Sequence, residues 1–164
     1  YAHSKLAGEK ILSKANCINT TFRISWLFSP FGSNFVKTIL KLSNKKQEIK
    51  VVNDQLGSPT YGIDLARVVL DNFTKPKFFD FGCYHFTNKG GISWFEFAKK
   101  IIEISKRDCS IKPCLTTEYE TLAVRPKYSI LDTKRIENHF SLSIPSWENA
   151  LERCLNKYNL NELI

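Results

Sequence analysis

The stretch Tyr1-Ala2-His3-Ser4-Lys5-Leu6-Ala7-Gly8-Glu9 decides how the rest of the chain is read. On a helix, Tyr1 and Lys5 share one face, a single turn apart. A free tyrosine titrates near about 10, too high for ready proton exchange at neutral pH. An ammonium one turn away favours the phenolate and draws that value toward the working range. The pair therefore has the make-up of a general acid with its tuning cation. The plainer alternative is a surface tyrosine packed on a lysine stem. Ser4, Ala7 and Gly8 are small, so a second segment or a flat cofactor can approach this helix closely.

Outward from this stretch, the composition is that of a globular domain. Of 164 residues, 43% are hydrophobic and 24% charged, enough for one domain or one and a half with a buried core. No apolar run approaches the roughly 20 residues of a membrane span, and no signal-peptide pattern opens the chain. The expectation is a soluble, cytoplasmic protein with no membrane partner. The five cysteines (Cys17, Cys83, Cys109, Cys114, Cys154) are odd in number and lack Cys-x-x-Cys spacing, which favours reduced thiols. His3, His85 and His139 are scattered, so no metal site is expected. The chain has no methionine and begins at a tyrosine, which reads as a piece of a longer protein. The net charge of +8 is spread along the chain. It suits an anionic ligand such as a nucleotide sugar. Nucleic acid is the less suited partner, because no recognition motif or concentrated basic-aromatic face is present.

Ala2 to Ala15 has helical spacing, with Leu6, Ile11 and Leu12 as an apolar stripe. Thr20 to Phe28 alternates Phe22, Ile24 and Trp26 and is predicted to be one strand. Its carboxyl end holds Ser25, Trp26 and Leu27, where ligands sit in open α/β sheets. Ser33 is the expected cap of a helix through Phe35, Val36, Ile39, Leu40 and Leu42, with Asn34 in its first turn facing a polar ligand or acting as a second cap. Ile49 to Val52 is a short strand. Asn53-Asp54-Gln55-Leu56-Gly57-Ser58-Pro59-Thr60 demands turn conformations and leads into a helix with Leu65, Val68, Val69 and Leu70 inward. Tyr84 to Thr87 is expected to be extended. Ser93 and Glu96 form a capping box ahead of Phe97, Ala98, Ile101 and Ile102. Ile111 to Thr116 reads as extended despite Pro113. Pro126 keeps Arg125 out of helix geometry. Arg125 can fork onto a diphosphate or carboxylate, or pair with Glu118 or Glu120. Asp132 and Ser146 are the expected caps of the last two helices.

Taken in order, these stretches resemble the extended short-chain dehydrogenase/reductases, and among them the dTDP-4-dehydrorhamnose reductase family. The carriers are Tyr1-x-x-Ser4-Lys5-Leu6-Ala7-Gly8-Glu9, Arg23-Ile24-Ser25-Trp26-Leu27-Phe28, Asn34-Phe35-Val36, Asp54-Gln55-Leu56-Gly57-Ser58-Pro59-Thr60, Asp64-Leu65-Ala66, Ser93-Trp94-Phe95-Glu96-Phe97-Ala98, Arg125-Pro126, Pro145-Ser146-Trp147 and Ala150-Leu151. The resemblance implies an α/β fold: the C-terminal part of a Rossmann-type doubly wound sheet plus a small mixed α/β substrate-binding domain. Residues 1–32 would be the last helix and strand of the nucleotide-binding part. Residues 33–164 would mainly bind substrate, with some segments returning to the Rossmann sheet.

It also implies reduction of dTDP-4-dehydro-L-rhamnose to dTDP-L-rhamnose by NADPH or NADH, in dTDP-rhamnose and hence polysaccharide biosynthesis. Tyr1 and Lys5 would be catalytic, and both with Ser25 and Leu27 would meet the cofactor. Trp26, Asn34, Asp54, Gln55, Thr60 and Arg125 would line the dTDP-sugar side. No G-x-G-x-x-G or related glycine-rich turn occurs in the chain. The cofactor's pyrophosphate site would therefore belong to a missing N-terminal Rossmann half, and the isolated chain is expected to be inactive. A homodimer is compatible with the family. Nothing in the residues supports a bound Mg2+, and whether a metal bridges subunits is left open. The competing readings are another nucleotide-sugar reductase or epimerase of the superfamily, and a non-catalytic regulatory subunit with the same fold.

Overall fold

The computed structural model describes residues 2–79, 82–118 and 125–158. Helix α1 (Ala2–Lys14) comes first, followed by β1 (Thr20–Arg23) and β2 (Leu27–Phe28). The predicted single strand from Thr20 to Phe28 is therefore two. β1 pairs in parallel with β6 (Gly82–His85), Phe22 opposite Tyr84. β2 pairs in parallel with β5 (Thr60–Tyr61). Between them the chain changes partner, and Trp26 turns the corner at φ 46°. The alternation of Phe22, Ile24 and Trp26 cannot reveal this, because both halves are extended and only their neighbours differ.

Helix α2 (Phe35–Ser43) places Val36, Ile39 and Leu40 in the core, the i, i+3, i+4 stripe of a half-buried helix. Its cap is Asn34, whose side chain accepts from the Lys37 amide; the expected cap, Ser33, stands one residue too early. β3 (Glu48–Val52) pairs in parallel with β8 (Ser110–Cys114), and Pro113 is tolerated because that pair is a separate two-stranded sheet. β4 (Leu56–Gly57) is flanked by antiparallel β7 (Ile92–Ser93) and parallel β9 (Tyr128–Ser129). Helix α4 (Trp94–Ser105) begins at the expected Ser93–Glu96 capping box. Thr133 occupies the N-cap position of α5 (Lys134–Phe140) without a side-chain cap bond, and Ser146 caps α6 (Trp147–Leu155). Asp132, the expected cap of α5, accepts from the amide of its first residue, Lys134, at 2.9 Å.

The apolar side chains gather in two clusters. The larger joins α2, α4 and α6 around Phe28, Ile39, Leu40, Phe97, Ile101 and Leu151, each contributing about 1.5–3 kcal/mol of burial. The smaller joins β1, β6 and α5 through Phe22, Tyr84, Phe86, Ile136, Phe140 and Ile144. Helix α3 (Gly62–Asn72) packs Leu65 and Val68 against the smaller cluster, as expected, but not Leu70. Leu70 is 64% exposed, whereas Asp64 and Asn72 are buried. Asp64 is held by a fork from Arg153, both contacts 2.6 Å, and by the Asn88 amide at 2.8 Å. Asn88 also accepts from the Tyr61 amide at 2.7 Å, which ties α3 to the turn after β6. On α1, the expected apolar stripe is present but open: Leu6, Ile11 and Leu12 are exposed. Among the described residues, no helix is long and apolar enough to cross a membrane.

Candidate functional site

The parallel ladder of β1 ends at Arg23, and the next three residues carry the chain to β2. Ser25 donates its hydroxyl to the Ser58 carbonyl at 2.6 Å. The Thr60 hydroxyl donates to the Ser25 carbonyl at 2.6 Å, and the Thr60 amide donates to the Trp26 carbonyl at 3.1 Å. The turn between β3 and β5 is thus stitched to the strand switch on both sides. Trp26 is half-buried within it. A bulky residue at positive φ is costly, of order 1–3 kcal/mol, and persists only where its surroundings over-determine it.

Those surroundings are aromatic. The Trp26 indole stacks on Trp94 with ring centroids 3.5 Å apart and planes 10° from parallel. Trp94 in turn meets Phe35 at 4.5 Å. On Gly57, a Cβ would fall 2.3 Å from Trp26 Cε2 and 2.6 Å from its Nε1, inside contact distance. Sequence reasoning gave Trp94, Phe35 and Gly57 no part in the site. The available signal was a tryptophan in the first turn of a well-capped helix and a glycine between two strand-like neighbours.

The other expected site residues fall around this cluster in different ways. Asn34 spends its amide internally, donating to Ser29 O at 2.8 Å while accepting from the Lys37 amide at 3.2 Å. Asp54 accepts from the Thr116 hydroxyl at 2.6 Å and the Thr116 amide at 2.9 Å. Those hydrogen bonds from Thr116 hold its carboxyl below the usual range, against a smaller opposing effect of burial. Gln55 is buried and donates to the same Thr116 hydroxyl at 3.0 Å. Thr60 is fully buried. Arg125 is exposed, three residues ahead of β9, whose flank is bonded to the turn by Leu56 N donating to Lys127 O at 2.8 Å. Glu118, a candidate partner for Arg125, accepts instead from the Leu115 amide at 2.7 Å. Glu120 lies outside the described residues.

Tyr1 also lies outside the described residues. Lys5 is on α1, one turn before Glu9, and Glu9 takes a two-pronged bond from Arg23 at 2.6 and 2.9 Å. The helix face bearing Lys5 and Glu9 therefore meets the last residue of β1, just ahead of Ser25 and Trp26. That hydrogen-bonded pairing with Arg23 holds the Glu9 carboxyl below its ordinary value. Leu27 is 52% exposed, and nothing lies within 4 Å of a Cβ built on Gly8, so a flat ligand would find room at both.

Two cavities among the described residues lie apart from the aromatic cluster. One of about 190 Å³ lies between α1 and the β1–β6 pair, touching Leu6, Glu9, Thr21 and Cys83. The other, of about 500 Å³, lies beside α3 and α6 and is lined in part by Asp64, Asp71, Phe86 and Arg153. Neither contains Trp26, Asn34, Asp54, Gln55, Thr60 or Arg125. Among the described residues, no group of three or more His, Cys, Asp or Glu converges as a metal site would require.

Parallel strand pairs that end beside a pinned aromatic turn, with helices on the sheet, define a Rossmann-type α/β protein of the extended short-chain dehydrogenase/reductase class. Within that class the chain belongs to the RmlD substrate binding domain family, whose sequence pattern matches residues 1–160. It is 41% identical over 157 residues to the spore coat polysaccharide biosynthesis protein SpsK of Bacillus subtilis, covering 96% of this chain and 54% of that protein. To the dTDP-4-dehydrorhamnose reductase of Escherichia coli K12 it is 35% identical over 169 residues, covering 96% and 55%. The crystal structure of dTDP-4-dehydrorhamnose reductase from Bacillus anthracis, in complex with NADP, superposes with a TM-score of 0.89 at 39% identity, covering 97% of this chain and 55% of that one. The chain spans about half the length of the curated relatives it matches.

Proposed function

We infer that this chain supplies the sugar-nucleotide side, and the proton-donating helix, of an NAD(P)H-dependent reductase that converts dTDP-4-dehydro-L-rhamnose to dTDP-L-rhamnose. The observation that carries this reading is the indole of Trp26, held at a strand switch three residues after Arg23, which pairs with Glu9 on the helix that bears Lys5. The names of the reductase relatives support it.

The nicotinamide end of a cofactor fits the residues present. Lys5 offers an ammonium to ribose hydroxyls, and the space over Gly8 and the exposed Leu27 admits a flat ring. Bound there, the dinucleotide supplies the hydride. The chain's own residues do the remainder. Tyr1 gives its phenolic proton to the oxygen of the reduced carbonyl, with Lys5 favouring the phenolate that is left. Trp26 walls the sugar, and the pinned turn 54–60 keeps water from that wall. Arg125 pairs with the diphosphate.

In this reading residues 1–32 serve the nucleotide-binding part and 33–164 mainly the substrate. The packing of Tyr84, Phe86, Ile136 and Phe140 against Phe22 supports a return of the 82–88 and 134–144 segments to the first part. The glycine-rich pyrophosphate turn is not among these 164 residues, so the chain by itself should not oxidise NADPH.

The test is NADPH oxidation with dTDP-4-dehydro-L-rhamnose, by this chain alone and by it joined to a nucleotide-binding half. The joined protein should turn over, and Tyr1→Phe should lower kcat by roughly 10²–10⁴. Full activity of the Tyr1→Phe variant would overturn the proton-transfer role. A second reading, a reductase or epimerase for a different nucleotide sugar, is favoured by the 41% identity to the spore coat protein. Higher kcat/KM with another sugar nucleotide than with the rhamnose precursor would select it.

A further inference from the structure

The geometry points to Gly57 and Trp94 as positioning residues for the sugar-facing indole: together they preset Trp26 for the sugar ring, though neither need touch the ligand. This deepens the functional reading above and rests on it. Trp26 sits at φ 46°, a backbone setting that a tryptophan does not adopt by its own preference. Hydrogen bonds fix the backbone there: Thr60 N to Trp26 O at 3.1 Å, with Ser25 tied to Ser58 and Thr60 on either side. Backbone pinning leaves the side chain its torsions.

Two contacts limit those torsions. Trp94 lies flat on the indole at 3.5 Å, and is itself located by the capped start of α4 and by Phe35. Gly57 lets the β4 backbone come so close that any Cβ would overlap the ring, 2.3 Å from Cε2 and 2.5 Å from Cζ2. Because the obstacle is a large indole with its other neighbours packed, alanine at position 57 must displace Trp26 rather than be absorbed locally. Gly57 is also in β4, between β7 and β9, so the slot is set by rigid strand pairing rather than by a loose loop. A ring fixed before binding loses less freedom when ligand arrives, and that difference appears as affinity.

The experiment uses this chain and reads three things: calorimetric affinity for dTDP-L-rhamnose, affinity for dTDP, and the indole N–H resonances of its three tryptophans. Trp147 lies in the core against Phe97, and its resonance reports whether each variant is folded. Gly57→Ala and Trp94→Leu should each shift the Trp26 resonance, leave that of Trp147 in place, and weaken the sugar nucleotide by roughly tenfold. Binding of dTDP should change by no more than about twofold on the same scale. Trp94→Phe, which restores a flat ring, should recover most of the affinity. In a Trp26→Ala background, both Gly57→Ala and Trp94→Leu should cost nothing further, because they act through the missing indole.

Losses that persist at full size in the Trp26→Ala background would overturn the inference, as would sugar-nucleotide affinity that is unchanged while the Trp26 resonance moves. Failure of the wild-type chain to bind either ligand would strike the functional reading and this inference together. Wild-type binding with indifferent variants would strike this inference alone.

Discussion

Replacing Arg153 by leucine tests the most buried ion pair among the described residues. Asp64 is 7% exposed and receives both prongs of the guanidinium at 2.6 Å, while the Arg153 side chain is 31% exposed. Removing one partner of a buried pair costs about 3–5 kcal/mol, because the remaining charge has lost both water and counter-ion. Partial exposure of Arg153 and the surviving bond from Asn88 favour the lower end, so about 3 kcal/mol is expected. For a chain of this size that lowers Tm by roughly 6–12 °C. The variant Asp64→Asn/Arg153→Leu carries no buried charge and should recover about half of the loss, since a neutral amide needs only hydrogen bonds. Urea and thermal unfolding of wild type and both variants measure this directly. A single variant within about 0.5 kcal/mol of wild type would refute the reasoning, since that is the range of an ordinary surface change. So would a double variant no better than the single.

Tyr61 is buried with its hydroxyl lacking a hydrogen-bond partner among the described residues, and burial pushes its phenol up to about 12. Tyr61→Phe removes that unmatched group and should stabilise the chain by about 1 kcal/mol in denaturant unfolding. Ser93→Ala deletes the side-chain half of the α4 capping box and the bond to Asn53 at 2.8 Å, while the residue-93 amide still donates to Glu96; the expected loss is about 1 kcal/mol by the same measurement. For Asp54 the folded pKa is depressed. Its contribution is therefore fully present above the unfolded value of about 3.9 and is lost as pH falls through the lower folded value. Unfolding midpoints of wild type and Asp54→Asn should converge as pH drops below about 4 and stay apart above it. Curves that run parallel through that window would show the Thr116 contacts to be without effect.

The elements most legible in the sequence were those with local causes. Ser93 and Glu96 satisfy each other across one helical turn, and the Ser146 hydroxyl caps α6 by accepting from the Asn149 amide. Such signals need no distant partner. Leu70 on α3 was misread for the opposite reason, although Leu65 and Val68 do pack inward. Leu70 carries the better hydrophobic character, yet Asp64 is buried because Arg153 and Asn88 reach it from elsewhere in the chain. The break at Trp26 was hidden likewise, since alternation specifies an extended strand but not which neighbour it pairs with. For the proposed site, the sequence offers only residue types and their order along the chain, Lys5, Trp26 and Arg125. What stayed hidden was the slot that Gly57 and Trp94 make, because it joins three stretches that meet only once the chain is folded.

The link between Asp64 and Arg153 also bears on how the polypeptide matures. The two residues are 89 positions apart, so at translation speeds of about 5–20 residues per second the carboxylate waits roughly 4–18 s for its cation to leave the ribosome. During that interval α3 cannot settle against its final neighbours, and the nascent chain stays exposed to proteases and to association with other chains. Helix α6 acts as the closing stitch. A stalled or prematurely terminated product lacking it should be cleared rather than accumulate as a folded stub.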